Sequence, residues 1–304
     1  MTEDVANAAV PNIELPGVHK AANDASAAGQ RHYVRLNALR LGSLLVGATA
    51  GAVSWALGTF DFSGLVLLLA FAVAALAEIA LIWLQPERDW YSGRAVAEST
   101  KTLAWRFAVQ GKPFGPEVAE ADAQALLRGR VEEVLRRGKD RITIPAGQAI
   151  VTTAMIEMRK QPFGDRRRAY LLHRTEDQRA WYARNATRNQ RRATSWRYGL
   201  LVGEIAAVVL AAVTLGRDEP ADFAGVVAAL VASGAAWIAL KQYSQITSAY
   251  RVAAAELALQ ADALGSVTED VWPQAVADAE EAISREHTMW LASRGEVPPT
   301  PVER

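Results

Sequence analysis

Apolar and charged residues alternate along this chain in long blocks. Four windows are almost free of charge: Leu41 to Phe60, Leu65 to Leu84, Tyr198 to Gly216 and Phe223 to Leu240. Each approaches the roughly 20 residues that a helix needs to cross the hydrocarbon of a bilayer. Four such windows in an otherwise highly charged chain are typical of membrane spans, not of helices buried in a soluble core. We therefore predict transmembrane helices at 41–60, 65–84, 198–216 and 223–240.

Short polar links join the spans in pairs. The links read "DFSG" and "RDEPAD", and links this short force each pair into a helical hairpin. Basic residues flank the opposite ends of the spans, among them Arg35, Arg40, Arg94 and Arg197, whereas Arg217 is the one basic residue in the two tips. The positive-inside rule then predicts a multi-pass protein with both termini and the middle segment in the cytoplasm.

The chain also repeats itself. The letters "LLVG" occur at 44–47 and again at 200–203, and "RAVAES" near residue 94 is echoed by "RVAAAEL" near residue 251. Because both matches fall at equivalent places beside a predicted hairpin, they indicate a tandem duplication of one unit. The predicted division is a flexible tail at 1–30, a two-transmembrane unit at 31–160, a second such unit at 161–295 and a tail at 296–304.

Helical spacing continues outside the predicted spans. Apolar residues recur at three- and four-residue intervals over 116–138, and further runs cover 149–160, 251–264 and 275–291. The arginine-rich stretch from Asp165 continues without a break into the third span. The predicted fold class is an all-α membrane protein, with four transmembrane helices as two tandem helical hairpins and a helical cytosolic bundle.

Composition narrows the chemistry. The chain has 33 basic and 33 acidic residues and no cysteine, which excludes disulfides and thiolate sites. His19, His32, His173 and His287 are scattered, and none has a second ligand one helical turn away. No serine-nucleophile motif is present. We therefore predict no enzyme activity, no metal site, no cofactor and no nucleic-acid partner.

Two carboxylates fall within the predicted spans. Glu78 lies near the cytosolic end of the second span and Glu204 follows Arg197 in the third, so both lie about 10 Å below the inner boundary. Ionisable residues at such a depth normally face a bundle interior or a water-filled path. Either Glu78 and Glu204 line a cation-conducting route or hold a proton, or each pairs structurally with a nearby arginine or hydroxyl.

Small residues predict close packing of the spans. Gly47 and Gly51 form one G-x-x-x-G motif, and Gly199 and Gly203 form another. Such motifs allow two helix backbones to approach closely. The packing is either within the monomer or between subunits.

Aromatic and basic residues mark the predicted cytosolic helices. Trp90, Trp105 and Trp181 are candidates for docking a partner, or else for the core of the cytosolic bundle. The arginines before the third span most simply hold their helix at the anionic inner leaflet, which makes membrane lipids a predicted partner.

The run "MRKQPFGDRRRAYLLHRTEDQRAWYARNATRNQRRATSWR" resembles the signature of the SLATT proteins. These are bacterial two-transmembrane effectors associated with SMODS nucleotidyltransferases and SLOG sensor domains. "WYSGRAVAESTKTLAWRFAVQGKPF" and "SREHTMWLASR" are similar to the segments that follow the hairpins in that family. The resemblance implies an effector of a bacterial conflict or defence system, in the inner membrane, that forms a pore when a nucleotide-sensing partner signals. Because this sequence has no Walker A loop, the sensor is expected to be a separate protein.

Two functions from different classes fit these features. The first is a non-enzymatic, pore-forming membrane effector, which requires a homo-oligomer because four helices from one chain rarely enclose an aqueous pore. The alternative is a membrane-anchored scaffold protein whose cytosolic bundle recruits a partner.

Overall fold

The computed structural model describes residues 10–53, 56–57, 60–138, 147, 149–215 and 222–292, and it places side chains at all of these except 56–57 and 285–292. The predicted tail at 296–304 and most of the second hairpin tip lie outside the described residues.

The described chain is almost entirely helical, as predicted. In order, its elements are α1 (Gly17–Ala52), β1 (Ala56–Leu57), β2 (Phe60–Asp61), α2 (Phe62–Leu84), α3 (Pro86–Ala108), α4 (Glu120–Gly138), α5 (Thr153–Lys160), α6 (Phe163–Tyr170), a π-helical segment (Leu171–Glu176), α7 (Asp177–Thr214), α8 (Phe223–Lys241), α9 (Tyr243–Ser266) and α10 (Trp272–Ala292). The two-residue strands pair antiparallel, with Ala56 opposite Asp61 and Leu57 opposite Phe60.

Three helical segments are long and apolar enough to cross a membrane: Phe62–Ala108, Phe163–Thr214 and Phe223–Ser266. They contain the second and fourth predicted spans and most of the third. A fourth transmembrane helix at 41–60 is not confirmed, because α1 ends at Ala52 and the strands β1 and β2 follow. The helical part of that window is only about 18 Å long, against about 30 Å of hydrocarbon.

The second helix of each hairpin begins and ends in the same way. Asp61 caps α2 and Asp222 caps α8, each accepting a hydrogen bond at 2.8 Å from the backbone N–H three residues further on. At the other ends, Gln85 and Gln242 adopt the left-handed conformation, with φ of 46° and 50°. The letters "DFSG" and "DFAG" mark the two equivalent starts. These matching termini support a tandem repeat of the hairpin.

The chain folds as two compact units, and each draws on both predicted repeats. The core unit comprises Met1–Gly29, Glu87–Ala183 and Arg251–Arg304, and the apolar unit comprises Gln30–Pro86 and Arg184–Tyr250. The predicted repeat boundary near residue 160 therefore falls inside the core unit.

Aromatic rings form the centre of the core unit. Trp105 and Tyr170 meet edge to face with centroids 5.8 Å apart, and Tyr170 meets Trp272 in the same way at 5.8 Å. Trp272 donates its indole N–H to the carbonyl of Val109 at 2.8 Å, which satisfies the polar atom of a buried ring. These contacts join α3, α6 and α10 around one apolar centre.

The start of α1 belongs to this core and is not a flexible tail. Val18 and Ala22 are buried. A Cβ on Gly93 of α3 would lie 2.7 Å from the backbone nitrogen of Ser26, so only glycine permits this approach of the two helices. Residues 17–30 are therefore helical, and residues 1–9 of the predicted tail lie outside the described residues.

A buried arginine shapes the turn before α4. Arg159 donates to the carbonyls of Phe107 and Phe114, at 3.1 Å and 2.7 Å, and to those of Gly115 and Val118, both at 3.1 Å. Because these bonds hold the preceding residues in a turn, the helix that we predict at 116–138 begins only at Glu120. Burial lowers the pKa of Arg159, and its four carbonyl partners give it a structural role.

The apolar unit turns large hydrophobic side chains outward. Leu68 of α2 is 65% exposed and Val208 of α7 is 69% exposed, and many similar residues on these helices are also exposed. Contiguous apolar surface of this kind marks a membrane or protein contact. This surface is what a lipid-facing helix requires.

Candidate functional site

The first of the two carboxylates in the predicted spans has a cation beside it. Arg40 of α1 places Nη1 2.6 Å from Oε2 of Glu78 in α2. This is an ion-pair distance, although the angles are not those of a hydrogen bond. The hairpin through β1 and β2 makes α1 and α2 antiparallel, so these two residues come opposite each other. The charge of Glu78 is therefore compensated inside the apolar unit.

The second carboxylate has different surroundings. Glu204 lies on α7 and is exposed, and its neighbours Ile205 and Val208 are 56% and 69% exposed. Within the described part of the chain, Glu204 forms no hydrogen bond or ion pair, and no such contact joins it to Glu78. The joint role predicted for the two acids stays a prediction, since their local environments differ.

The motif glycines mainly serve packing within each hairpin. A Cβ on Gly47 would lie 3.4 Å from the Cβ of Ala70, and a Cβ on Gly203 would lie 2.7 Å from Cγ2 of Val231. Gly203 thus lies at a close contact between α7 and α8. The second glycine of the first motif, Gly51, is within 3.9 Å of a side chain of α2, whereas Gly199 faces open space. Gly199 remains a candidate for contacts outside the hairpin.

Of the three candidate docking tryptophans, Trp105 lies in the core, which is the alternative that the sequence left open. Its side chain is only 2% exposed and packs against Tyr170, so a partner could not reach it without opening the core. Trp90 and Trp181 are half-buried, and they stack or pack against the neighbouring Tyr91 and Tyr182 at 5.0 Å and 5.2 Å. Docking by Trp90 or Trp181 stays a prediction.

The core unit contains a buried charge network that the sequence did not reveal. Arg174 donates to both oxygens of Glu280, from Nε at 2.7 Å and from Nη2 at 2.6 Å, and both side chains are fully buried. The Tyr170 hydroxyl and the Thr102 hydroxyl also donate to this carboxylate, at 2.9 Å and 2.8 Å. Four donors on one buried carboxylate tie α3, α6, the π-helical segment and α10 together.

Burial and the contacts with Glu280 shift the pKa values of Arg174 and Tyr170. Burial alone would lower the pKa of Arg174, but the Glu280 carboxylate raises that pKa above its usual value. Burial raises the pKa of Tyr170 as well, and the charge of Glu280 adds to the effect. Both shifts move the pKa values of Arg174 and Tyr170 further from neutral pH, and the four hydrogen bonds to Glu280 orient the helices that carry them.

Further polar groups surround the pair. Lys101 donates to the amide oxygen of Gln178 at 3.2 Å, and burial followed by repulsion from Arg174 lowers the pKa of Lys101. Among the residues that the structure describes, no hydrogen-bond partner is found for the buried atoms Arg174 Nη1, Thr100 Oγ1 and Thr175 Oγ1. Arg174 and Thr175 both lie in the π-helical segment, a rare geometry that is frequently found at functional sites.

A local signal for this network exists, although it is weak. Arg166, Tyr170, Arg174, Gln178 and Tyr182 follow one another at four-residue intervals, and all five are buried. Glu280, the partner of Tyr170 and Arg174, lies more than a hundred residues away in an ordinary amphipathic helix. Sequence spacing could therefore suggest the stripe but not its partner.

Comparison with protein families gives two matches that cover most of the chain. Residues 16–167 match the model for SMODS and SLOG-associating 2TM effector domain 3, and residues 170–290 match that for SMODS and SLOG-associating 2TM effector domain 1. Comparisons with curated proteins and with solved structures found no match.

These matches agree with the outward-facing apolar helices, and together they indicate a membrane protein. SLATT effector domains are associated with conflict and defence systems, and their description names no catalytic activity. The chain belongs to the SLATT family of SMODS and SLOG-associating two-transmembrane effector domains, and it carries two such domains in tandem.

Proposed function

We propose that this protein is a non-enzymatic membrane effector that assembles as a homo-oligomer and opens a cation path lined by Glu204. The observation that carries the proposal is the contrast between the two intramembrane acids. Glu78 has Arg40 at 2.6 Å, whereas Glu204 is exposed on an apolar helix and has no ion pair among the described residues.

The energetics favour an assembly around Glu204. A carboxylate near the middle of a bilayer costs about 2.5–3.5 kcal/mol by insertion scales, and it normally faces protein or water. Arg40 reduces this cost for Glu78 within one chain. For Glu204 the cost falls when several copies place the residue around a shared water-filled axis, where a ring of carboxylates attracts cations.

The proposed cue is cytosolic. The family association with SMODS and SLOG proteins supports a separate nucleotide-sensing protein as its source. The spans lie in a bacterial inner membrane in this proposal. The basic residues beside them, including Arg35 and Arg197, support a core unit on the cytoplasmic side. The core unit then receives the signal, and the apolar unit carries the response.

The test combines oligomeric mass with ion flux. Purified protein in detergent is weighed by light scattering, and the same sample is reconstituted into liposomes that contain a cation-sensitive dye. We expect an oligomer of three or more chains and a cation leak that falls at least tenfold in Glu204→Gln. Val208→Ala, one turn further along the same exposed side of α7, is the matched control and should leak like the wild type.

Two results would contradict this proposal. A leak that is equal in the wild type and Glu204→Gln would remove Glu204 from the path. A stable monomer that does not leak, and whose overproduction does not depolarise cells, would favour the alternative of a membrane-anchored scaffold that recruits a partner.

A further inference from the structure

The cytosolic lead-in to the third span presents a row of arginines to the surroundings. Arg184, Arg188, Arg191 and Arg192 lie within about one third of the circumference of α7 at 100° per residue, and all four are exposed. We call these four residues the arginine face. The opposite side of the same stretch is buried, for example at Ala186.

No charge in the described chain neutralises this face. None of its four arginines forms an ion pair or a hydrogen bond with any described residue. No acidic residue occurs between Asp177 and Glu204. None occurs between Asp24 and Asp61 either, a stretch that includes most of α1. By contrast, Arg179, one turn earlier, is paired with Glu176 at 2.6 Å. The arginine face therefore meets its counter-charge outside the protein.

The position of the face limits what that counter-charge can be. The same helix becomes apolar at Tyr198, immediately after Arg197, and α7 continues unbroken to Thr214. Arg192 and Arg191 precede Arg197 on the same helix, and they lie about 8–9 Å from it along the helix axis, on the side away from the apolar part. The headgroup layer extends about 5–8 Å beyond the hydrocarbon. A flexible guanidinium at Arg191 or Arg192 can reach phosphates there, where it binds two oxygens at once.

We propose that the arginine face of α7 binds the phosphodiester headgroups of anionic phospholipids, and that it selects them from the zwitterionic lipids around the protein. This inference requires membrane insertion but not conduction, so it stands even if the proposed cation path fails.

The geometry predicts a gradient along the face. Arg188 lies about 14 Å and Arg184 about 20 Å from Arg197. Measured from the headgroup surface, these distances correspond to roughly one and two Debye lengths at physiological salt. The contribution to lipid selection therefore falls from Arg192 and Arg191, through Arg188, to Arg184. A soluble polyanion or a protein partner would impose no such order.

The experiment uses tryptophan quenching in reconstituted full-length protein. Vesicles of phosphatidylcholine are doped with either brominated phosphatidylglycerol or brominated phosphatidylcholine, and Trp196, beside the face, is among the reporters. The ratio of the two quenching efficiencies gives the selectivity. We expect Arg191→Gln and Arg192→Gln each to lower it by up to about fivefold, the effect of one cation at an anionic surface. Arg188→Gln should lower it less, and Arg184→Gln should stay close to the wild type.

The matched control is Arg136→Gln, an exposed arginine of α4 in the core unit, which should not change the selectivity. The proposal is overturned if the wild type shows no preference for phosphatidylglycerol. It is also overturned if Arg184→Gln has as large an effect as Arg192→Gln. Loss of the preference on adding inorganic phosphate at constant ionic strength would assign the face to free phosphate and would overturn the lipid assignment.

Discussion

At the residue scale, the charge network of Arg174 and Glu280 is the least replaceable part of the core unit. A buried ion pair contributes little net stability compared with apolar residues of the same volume, because both ions lose their hydration. Removing one partner is different, since the other charge then stays buried and unpaired. The network therefore enforces one arrangement of the helices more than it stabilises the fold.

Glu280→Gln tests this interpretation. We expect a loss of about 3–5 kcal/mol in the free energy of unfolding, because Arg174 keeps its charge without a counter-ion. Urea denaturation in detergent, followed by the fluorescence of the buried Trp105 and Trp272, measures the loss. Arg179→Gln is the control, because it breaks an exposed pair and should cost less than about 1 kcal/mol. Equal losses in the two variants would contradict the prediction.

His19 gives the core unit a dependence on pH. Burial and then the charge of Lys101 lower the pKa of His19, with Arg94 and Arg174 acting in the same direction and Glu98 opposing them. As the pH falls through about 6.5, the unfolded chain binds a proton on this histidine before the folded chain does. The free energy of unfolding therefore falls, until the pH is low enough to protonate folded His19.

Melting temperatures between about pH 8 and about pH 5 check this expectation. His19→Gln should weaken the decline below about pH 6.5. His32→Gln should retain the wild-type decline, because His32 is exposed and lies in the apolar unit. A decline that is unchanged in His19→Gln would assign the pH dependence to other groups.

At the element scale, the π-helical segment solves a problem of register. A side chain four residues further along an α-helix is rotated by about 40°, so the buried stripe from Arg166 to Tyr182 would turn by about 160° away from the core. The π-helical turn accommodates one residue more than an α-helical turn. This extra residue rotates the following side chains back towards the core by about 100°. Leu171–Glu176 thereby keeps Tyr170 and Arg174 directed at the same carboxylate.

Deleting Leu172 tests the register directly. The helix can then become regular, but either Tyr170 or Arg174 must leave Glu280. We expect backbone amides over 163–182 to lose protection from hydrogen exchange by at least tenfold, corresponding to about 1.4 kcal/mol. Leu172→Ala keeps the register and should lose less. If the deletion left the exchange unchanged, the π geometry would have no role in the packing of this stripe.

At the scale of the whole molecule, local patterns predicted some features and long-range contacts decided others. Apolar length predicted α2, α8 and the end of α7, because a membrane span needs little more than length and composition. The span that the same criterion predicts at 41–60 is not confirmed, because composition does not reveal that α1 ends at Ala52. The arginine run was interpreted as a helix held at the anionic inner leaflet, yet Arg174 is buried and paired with Glu280, which no local pattern identifies as its partner.

The tandem repeat was likewise predicted only in part. Repeated sequence motifs located the two copies of the hairpin unit, and the left-handed conformation of Gln85 and Gln242 at equivalent positions supports them. Sequence could not show that the two copies share one core. In the structure, Trp105 and Thr102 from the first family match contact Tyr170 and Glu280 from the second.

This shared core yields the last prediction, that the parts of the chain on either side of Gly138 do not fold separately. A chain cut after Gly138 leaves residues 139–304 with Trp272 lacking the carbonyl of Val109 and Glu280 lacking Thr102. Because buried polar groups would lose their partners and apolar rings would be exposed, we expect each fragment alone to aggregate or be degraded.

Co-expressed fragments should instead assemble through the core. A tag on one fragment should therefore co-purify the other in detergent, and the complex should have the circular dichroism of the intact chain. The substitution Trp272→Ala in the second fragment should abolish co-purification, whereas Leu259→Ala, at a 75% exposed position on α9, should not. A fragment 139–304 that is monodisperse and fully helical by itself would contradict this prediction, because it would show that residues 139–304 fold without the aromatic contacts to α3.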